Sequence, residues 1–381
     1  MPERASLSSS AQHRRNLRQR GGEAAARCFQ CATCSSVCEL APPGEPFPRR
    51  QMLAAQWGLA DRLAADPALW LCHQCNDCSA RCPRDAKPGE VMQVLRGLAV
   101  EELAVPRFLA RLAGRAEVSW PLLLGLPIVL WAVLVAATGG LPHVASPLVY
   151  GLVVPHWLIY AVFFPLSFLV LGASYASGRR FWALLGQDRA RRGSFLRHLV
   201  PVLWEILVHR RFARCDRAAG RRLPHLALFW GFAGAALTSG LIVVAMYGWG
   251  AELPLHQSHP FKILGNVSAA LLVGGGLVLV YNRLTDGAGT GTAQPFDRFF
   301  LALVVLVATT GVLVEIGRFA FTPELAVACY VGHLGVVVCL FATFPYSKFS
   351  HVLYRTLAMV HERMTAAVQP DETISLNEEL P

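Results

Sequence analysis

The sequence predicts an all-α protein in two parts, a small helical domain followed by six membrane-crossing helices. Three observations predict it. Eight of the eleven cysteines fall in two runs between residues 28 and 82. From residue 119 onward come six apolar stretches, each close to the roughly 20 residues a helix needs to cross a bilayer. Arginines crowd one of the loops joining those stretches and are missing from others.

The first cysteine run, RCFQCATCSSVCEL, covers residues 27 to 40, and the second, LCHQCNDCSARCPRD, covers 71 to 85. Both read C-x2-C-x2-C-x3-C. A tight loop with that spacing aims three thiolates at one 4Fe-4S cluster while the fourth departs toward a neighbouring cluster. Crossing the fourth ligands gives Cys28, Cys31, Cys34 and Cys82 for one cluster, and Cys38, Cys72, Cys75 and Cys78 for the other. Zinc sites usually take ligands in two pairs rather than two runs of four, and disulfides do not suit a chain in which no export signal is read. Pro83 follows the second run where Glu39 follows the first. That proline shapes the exit of the chain and is not a ligand. The connecting segment, FPRRQMLAAQWGLADRLAADPALW, carries apolar residues at helical spacing. Residues 23–105 are therefore predicted to form a helical two-cluster ferredoxin domain, after a disordered tail over 1–22. Cys215, Cys329 and Cys339 remain, and the last two read as small buried hydrophobes.

The chain has 381 residues, is 54% hydrophobic and carries a formal charge of +10. A basic protein this apolar points to a membrane with arginines on its inner side rather than to nucleic acid. The first 27 residues hold no apolar segment, so no signal peptide is read and the cluster domain is expected to stay in the cytoplasm. Spans are expected near 119–140, 149–172, 225–247, 261–282, 299–321 and 326–345, within a membrane domain over 119–360. The C-terminal tail, 361–381, then returns to the cytoplasm. The three loops assigned outside, LPHVASPL, GWGAELPLHQSH and TPEL, contain no Lys or Arg, whereas the inside loop 173–223 contains twelve arginines. Within that loop SFLRHLVPVLWEILVHRRF reads as an amphipathic helix on the inner membrane surface, bent or delayed by Pro201.

Histidines inside a membrane are functional candidates. His225 opens the third span and His351 follows the sixth, both at the inner side; His156 and His333 fall near the outer side. His333 and His351 are 18 residues apart, which is five turns and roughly 27 Å if one helix continues through both. Each would ligate one b-type haem, His351 with His225 and His333 with His156, in the bis-histidine manner that leaves no open iron position. His156 is equally readable as a packing residue. The charged residues Lys262, Glu315 and Arg318 lie at the depth of His333. Glu315 and Arg318, three apart, share a helix face and are expected to pair. They form either a quinone site, with Glu315 relaying protons, or a set of haem-propionate and interface contacts.

These residues resemble known families. The two cysteine runs resemble the C subunit of heterodisulfide reductase. The segment from about 149 onward, with FPYSKFSH ending in His351 and HLALFWGF opening at His225, resembles the cytochrome component of that enzyme and the gamma subunit of respiratory nitrate reductase. Position 235, where the nitrate reductase subunit has a second histidine, is Ala. A chain that fuses both parts resembles the C-subunit family of quinone-interacting membrane-bound oxidoreductase complexes. The resemblance implies two 4Fe-4S clusters, b haems, quinone as substrate, soluble flavin and iron–sulfur partner subunits, and a link to adenylylsulfate reductase in sulfur metabolism. It also implies the cytoplasmic membrane of a bacterium or archaeon. The alternatives are a heterodisulfide-reductase-like or sulfite-pathway oxidoreductase subunit and, from another class, a membrane redox sensor.

Overall fold

The computed structural model describes residues 8–41, 45–144, 148–186, 191–211, 219–285 and 295–366. Every regular element among the described residues is helical, as the sequence predicts. The chain divides into two compact units, one of Met1–Leu103, Ser174–Arg214 and Phe349–Pro381, the other of Ala104–Ala173 and Cys215–Lys348.

The first unit opens with α1, Ala11–Leu17, inside the range expected to be a disordered tail. A cap overrides the arginine-rich composition there: Ser10 Oγ accepts from His13 N at 3.1 Å, and His13 and Leu17 bury the inner face of the turn. Short helices follow: α2 Thr33–Ser36, α3 Arg49–Trp57, α4 Ala60–Ala64, α5 Ala68–Leu71 and α6 Asp77–Ala80. The helical segment expected between the cysteine runs is thus cut into three, by Gly58 in the left-handed region and by Asp66–Pro67. The longest helix of this part, α7 Pro88–Leu103, is buried along most of its length.

The second unit holds α8 Arg107–Gly114, α9 Ala116–Trp120, α10 Leu126–Ala137 and α11 Tyr150–Val153, with the first half of α12, His156–Leu185. Pro155 ends α11 and restarts the chain as α12, so the second span begins later than expected and runs on past Arg179 and Arg180, which are helical rather than loop residues. The later half of α12 belongs to the first unit, as does α13, Phe195–Leu207, which runs through Pro201. The domain boundary expected near residue 119 therefore divides the chain differently from the observed units.

The remaining helices are α14 Ala219–Trp249, α15 Pro260–Thr285, α16 Pro295–Ala320, α17 Pro323–Thr343 and α18 Ser350–Ala366. Six helical segments are long and apolar enough to cross a membrane: Ala116–Ala137, His156–Leu185, Arg222–Trp249, Pro260–Thr285, Asp297–Ala320 and Pro323–Thr365. The last is interrupted. After Thr343 the chain makes one 3-10 turn, Phe344–Tyr346, because Pro345 cannot donate to an α-helical ladder, and α18 starts only at Ser350. His333 and His351 therefore do not ride on one continuous helix, and the expected five-turn separation along one face does not hold. His351 groups with the first unit and His333 with the second.

Small residues set how closely the second unit packs. A Cβ at Gly275 would lie 2.8 Å from Pro224 O, so α14 and α15 approach nearly to backbone contact there. A core of Trp131, Val135, Val153, Val154, Leu158, Val327, Val331, Leu334 and Val338 joins α10, α11, α12 and α17. In the first unit Val202 of α13 meets Met359, Val360 and Met364 of α18. Arg189, Arg214, Arg217 and Cys215, like the tails 1–7 and 367–381, lie outside the described residues.

Candidate functional site

The two cysteine loops have the same backbone. In each, the residues before and after the second cysteine have positive φ: Gln30 at 59° and Ala32 at 67° in the first loop, Gln74 at 55° and Asn76 at 65° in the second. A single helical turn then starts, α2 or α6, and carries the third cysteine, Cys34 or Cys78. After the fourth cysteine both chains turn back, Ala41 N donating to Cys38 O and Asp85 N to Cys82 O, each at 3.1 Å. Glu39 in place of proline therefore keeps the hydrogen bond of the exit turn, although Asp85 has positive φ, 49°, where Ala41 does not. L-residues in the left-handed region cost about 1–2 kcal/mol each, so the paired departures mark a loop shaped for what it holds.

The eight thiols sort into two groups drawn from both runs. Cys28, Cys31, Cys34 and Cys82 line one pocket with Phe29, Arg49, Pro83 and Arg84. In the other group, burial pushes the Cys38 thiol up to about 11, with the Cys72 and Cys75 thiols adding to the shift. Burial raises Cys78 further still, helped by Cys72, Cys75 and Cys38, and it also feels Cys34, so the groups are neighbours. Burial likewise raises Cys34, with Cys28 next among the causes, whereas Cys31 is solvent-exposed and lowered by its hydrogen bond with Thr33 at 3.4 Å. Amide donors reach the sulfurs: Gln74 N lies 3.3 Å from Cys72 Sγ and Ala86 N 3.3 Å from Cys82 Sγ. Such donors favour thiolate, the form that binds iron. Among the described residues no three His, Cys, Asp or Glu side chains close on a single-ion position.

The second loop is held more firmly. A Cβ on Gly89 at the start of α7 would fall 2.2 Å from Asn76 Oδ1, and Gly89 N donates to Ser79 Oγ at 2.9 Å, so α7 seats directly on α6. Trp70, two residues before Cys72, is 3% exposed and packs on Tyr354 of α18 with ring centroids 4.6 Å apart. Arg96 and Arg355 also reach this loop. Reading the sequence singles out neither; the available signal is that Arg355 stands four residues after His351.

In the second unit, His333 Nδ1 lies 2.9 Å from Thr310 Oγ1 on α16. The Thr310 hydroxyl donates to Leu306 O at 2.6 Å, so its oxygen accepts from His333 and the ring proton sits on Nδ1. Nε2 keeps its lone pair. A Cβ on Gly311 would stand 3.2 Å from Cε1 of this ring, and one on Gly151 would stand 3.2 Å from Cε1 of His156. The helices bearing His156 and His333 share the core that includes Leu158, Val331 and Leu334. His225 lies on α14 in the second unit and His351 on α18 in the first.

The expected Glu315–Arg318 pair is replaced. Glu315 bonds Lys262 Nζ of α15 and accepts from Gln257 Nε2 at 2.5 Å, while Arg318 lies 5.4 Å from the Phe319 ring centroid. With Lys262 brought across from α15 and Gln257 as a second donor, both oxygens of the Glu315 carboxylate are already bonded. Tyr150 donates to Val314 O at 3.0 Å and stacks on Tyr330 at 4.6 Å, so α11, α16 and α17 meet beside this pair.

Comparison with known proteins agrees with the cysteine geometry. Residues 24–86 match the family model of the 4Fe-4S dicluster domain. A protein of Archaeoglobus profundus described as like the C subunit of heterodisulfide reductase is 40% identical over 90 residues, 23% of this chain and 48% of that protein. The C subunit of the H(2):CoB-CoM heterodisulfide,ferredoxin reductase of Methanothermobacter thermautotrophicus is 39% identical over 88 residues, 22% of this chain and 46% of that protein. The chain thus spans less than half the length of these two relatives. Citrate utilization protein B of Escherichia coli is similar along nearly the whole chain, 28% identical over 355 residues, covering 87% of this chain and 88% of that protein. No solved structure matches. The N-terminal part is a 4Fe-4S dicluster domain resembling the C subunit of heterodisulfide reductase, followed by six candidate membrane helices.

Proposed function

We propose that the chain is the membrane electron-transfer subunit of a quinone-linked oxidoreductase, passing electrons between a quinone pool and soluble flavin or iron–sulfur partners. The observation that carries the reading is the sorting of eight thiols into two four-membered groups, in a chain that also has six candidate spans. Clusters held by Cys28, Cys31, Cys34 and Cys82 and by Cys38, Cys72, Cys75 and Cys78 accept and release single electrons, and the loops bring the two groups side by side. His333 fits a haem ligand, because Thr310 holds its proton on Nδ1 and leaves Nε2 to bind. His156 would complete that haem's pair. Quinone chemistry moves protons with electrons, and Glu315, bound by Lys262 and Gln257, is the group that would carry them at the outer side.

The test is quinol-driven reduction of the purified protein followed by visible and EPR spectra. Quinol reduces a low-spin haem and then the clusters; His333→Ala loses one haem component, and Glu315→Gln slows the reduction while leaving the spectra intact. A chain without haem, or full-speed reduction in Glu315→Gln, overturns the corresponding part.

The resemblance to quinone-interacting oxidoreductase complexes points to a soluble partner from sulfur metabolism such as adenylylsulfate reductase. The full-length similarity to citrate utilization protein B favours a second reading, in which the soluble partner belongs to carboxylate utilisation. Identification of the flavoprotein that co-purifies from the native host decides between them.

A further inference from the structure

Two arginines from different helices converge on the backbone beside Cys72. Arg96 of α7 donates from Nε to Leu69 O, from Nη1 to Gln74 Oε1 at 3.3 Å and from Nη2 to Cys72 O. Arg355 of α18 donates from Nη1 to Trp70 O at 3.1 Å and to Cys72 O at 3.4 Å, and from Nη2 to His73 Nε2 at 2.8 Å. One carbonyl, that of Cys72, thus receives both guanidinium groups. A guanidinium cannot accept, so His73 Nε2 is the acceptor and this ring is neutral. Every partner named here is a carbonyl, an amide or an imidazole. Two cations are brought together on a protein wall, and among the described residues no carboxylate bonds either.

Placing like charges side by side away from water is costly unless an anion faces them. The first loop also has arginines: half-buried Arg49 lines its thiol pocket, while Arg27 and Arg84 are paired or exposed. Arg27 is paired with Asp85 at 2.9 Å, and Arg84 lies over the exposed Phe29 ring at 4.0 Å. Arg96 and Arg355 are half-buried, so solvent screens them less than it screens exposed Arg27 and Arg84. One-electron reduction makes a cluster one charge more negative, so a partly screened cation beside its ligand favours the reduced form.

We propose that Arg96 and Arg355 raise the reduction potential of the cluster held by Cys38, Cys72, Cys75 and Cys78. Arg355 further makes this cluster the one coupled to α18, where His351 stands one turn away, about 6 Å along the axis. Arg355 is a positioning residue: it touches the loop and not the metal. The inference rests on the two-cluster reading and deepens it by assigning two positioning residues to one of the clusters.

The experiment is an EPR-monitored redox titration of the full-length, cluster-loaded protein, using Cys75→Ser and Cys28→Ser to assign each signal. In Arg355→Gln, and separately in Arg96→Gln, the signal assigned to Cys75 shifts to lower potential while the Cys28 signal stays in place. Arg355→Lys keeps the charge and retains most of the wild-type potential, and it serves as the readout if the Gln variant fails to assemble. No shift, an equal shift of both signals, or a Lys variant that moves as far as Gln overturns the proposal. If Cys75→Ser and Cys28→Ser remove the same signal, the two-cluster reading itself falls, and this proposal with it.

Discussion

The two cysteine loops share a backbone and differ in everything around it. The residue after the first cysteine is Phe29 in one, 67% exposed, and His73 in the other, 7% exposed. The residue after the second cysteine is Ala32 in one and the buried Asn76 in the other. Loop one opens to solvent at Cys31, and loop two is enclosed by α7, α18 and the Trp70–Tyr354–Phe181 cluster. A duplicated metal-binding turn has thus acquired two environments, one suited to meeting a partner and one suited to holding a fixed position inside the unit. The spacing of the cysteines determines the turn, and the residues between them determine what surrounds it.

The most drastic way to break the comparison is to break the exchange of ligands. Cys38→Ser is expected to abolish the cluster of the second loop, although Cys38 belongs to the first run, and Cys82→Ser to abolish the cluster of the first loop. Iron content halves in each, and EPR identifies the survivor. If Cys38→Ser and Cys28→Ser remove the same signal, the ligands do not cross.

A second comparison removes an aromatic from each loop. Trp70→Ala empties a site between Tyr354 and Phe181 and is expected to cost about 3–5 kcal/mol. Phe29→Ala touches an exposed ring and is expected to change stability by no more than about 0.5 kcal/mol. Chemical denaturation of the detergent-solubilised protein measures both, and equal losses would show that the loops are equally supported.

Acid should loosen the second loop first. Glu205 of α13 accepts from Arg211 at 2.7 Å and Arg363 of α18 at 2.9 Å, and Arg211 also binds Glu362 at 2.7 Å, so this network clamps α13 onto the helix behind Trp70. Burial alone would raise the Glu205 carboxyl, but the two guanidinium groups outweigh it and hold it below the usual carboxylate range. A carboxyl depressed in the folded state stabilises above its unfolded value, near pH 4, and that contribution disappears as pH falls through the folded value. Hydrogen exchange at 68–76 should therefore rise below about pH 4 before exchange at 28–36 does. Glu205→Gln should lose about 1–3 kcal/mol at neutral pH and flatten that acid dependence.

The parts of this molecule legible in the sequence are those encoded locally. Cysteine spacing predicts two loops of one shape, and hydropathy predicts six spans, because both signals lie within a few turns of chain. The departures arise where distant or opposing effects decide. Pro345 stops a helix that apolar periodicity carries onward, and α12 overruns its apolar core into an arginine-bearing segment that stays helical. Sequence proximity pairs Glu315 with Arg318, yet Lys262, 53 residues away, holds it. Arg355 acts on Cys72 across 283 residues, a relation that no window of sequence displays. The short helix before the first cysteine is hard to read because only two of its residues, His13 and Leu17, anchor it, beside two arginines.

The smallest expected effect isolates the backbone that the loops share. Ala32 and Asn76 occupy the same left-handed position, with φ of 67° and 65°. Alanine meets a steric penalty there of about 1–2 kcal/mol from its Cβ against the following carbonyl, whereas asparagine visits the region more readily. Glycine removes the penalty but adds freedom to the unfolded chain, which costs about 0.4–1 kcal/mol. Ala32→Gly should therefore stabilise the first loop by up to about 1 kcal/mol, and Ala32→Asn should stabilise it by a few tenths. At the second loop the sign reverses: Asn76 is 2% exposed and lies against α7, so Asn76→Gly gives up packing without relieving an equal strain. Paired denaturation curves of Ala32→Gly and Asn76→Gly read this difference directly. Destabilisation by both would mean that Ala32 is unstrained and that the two turns, alike in φ, are held by different forces.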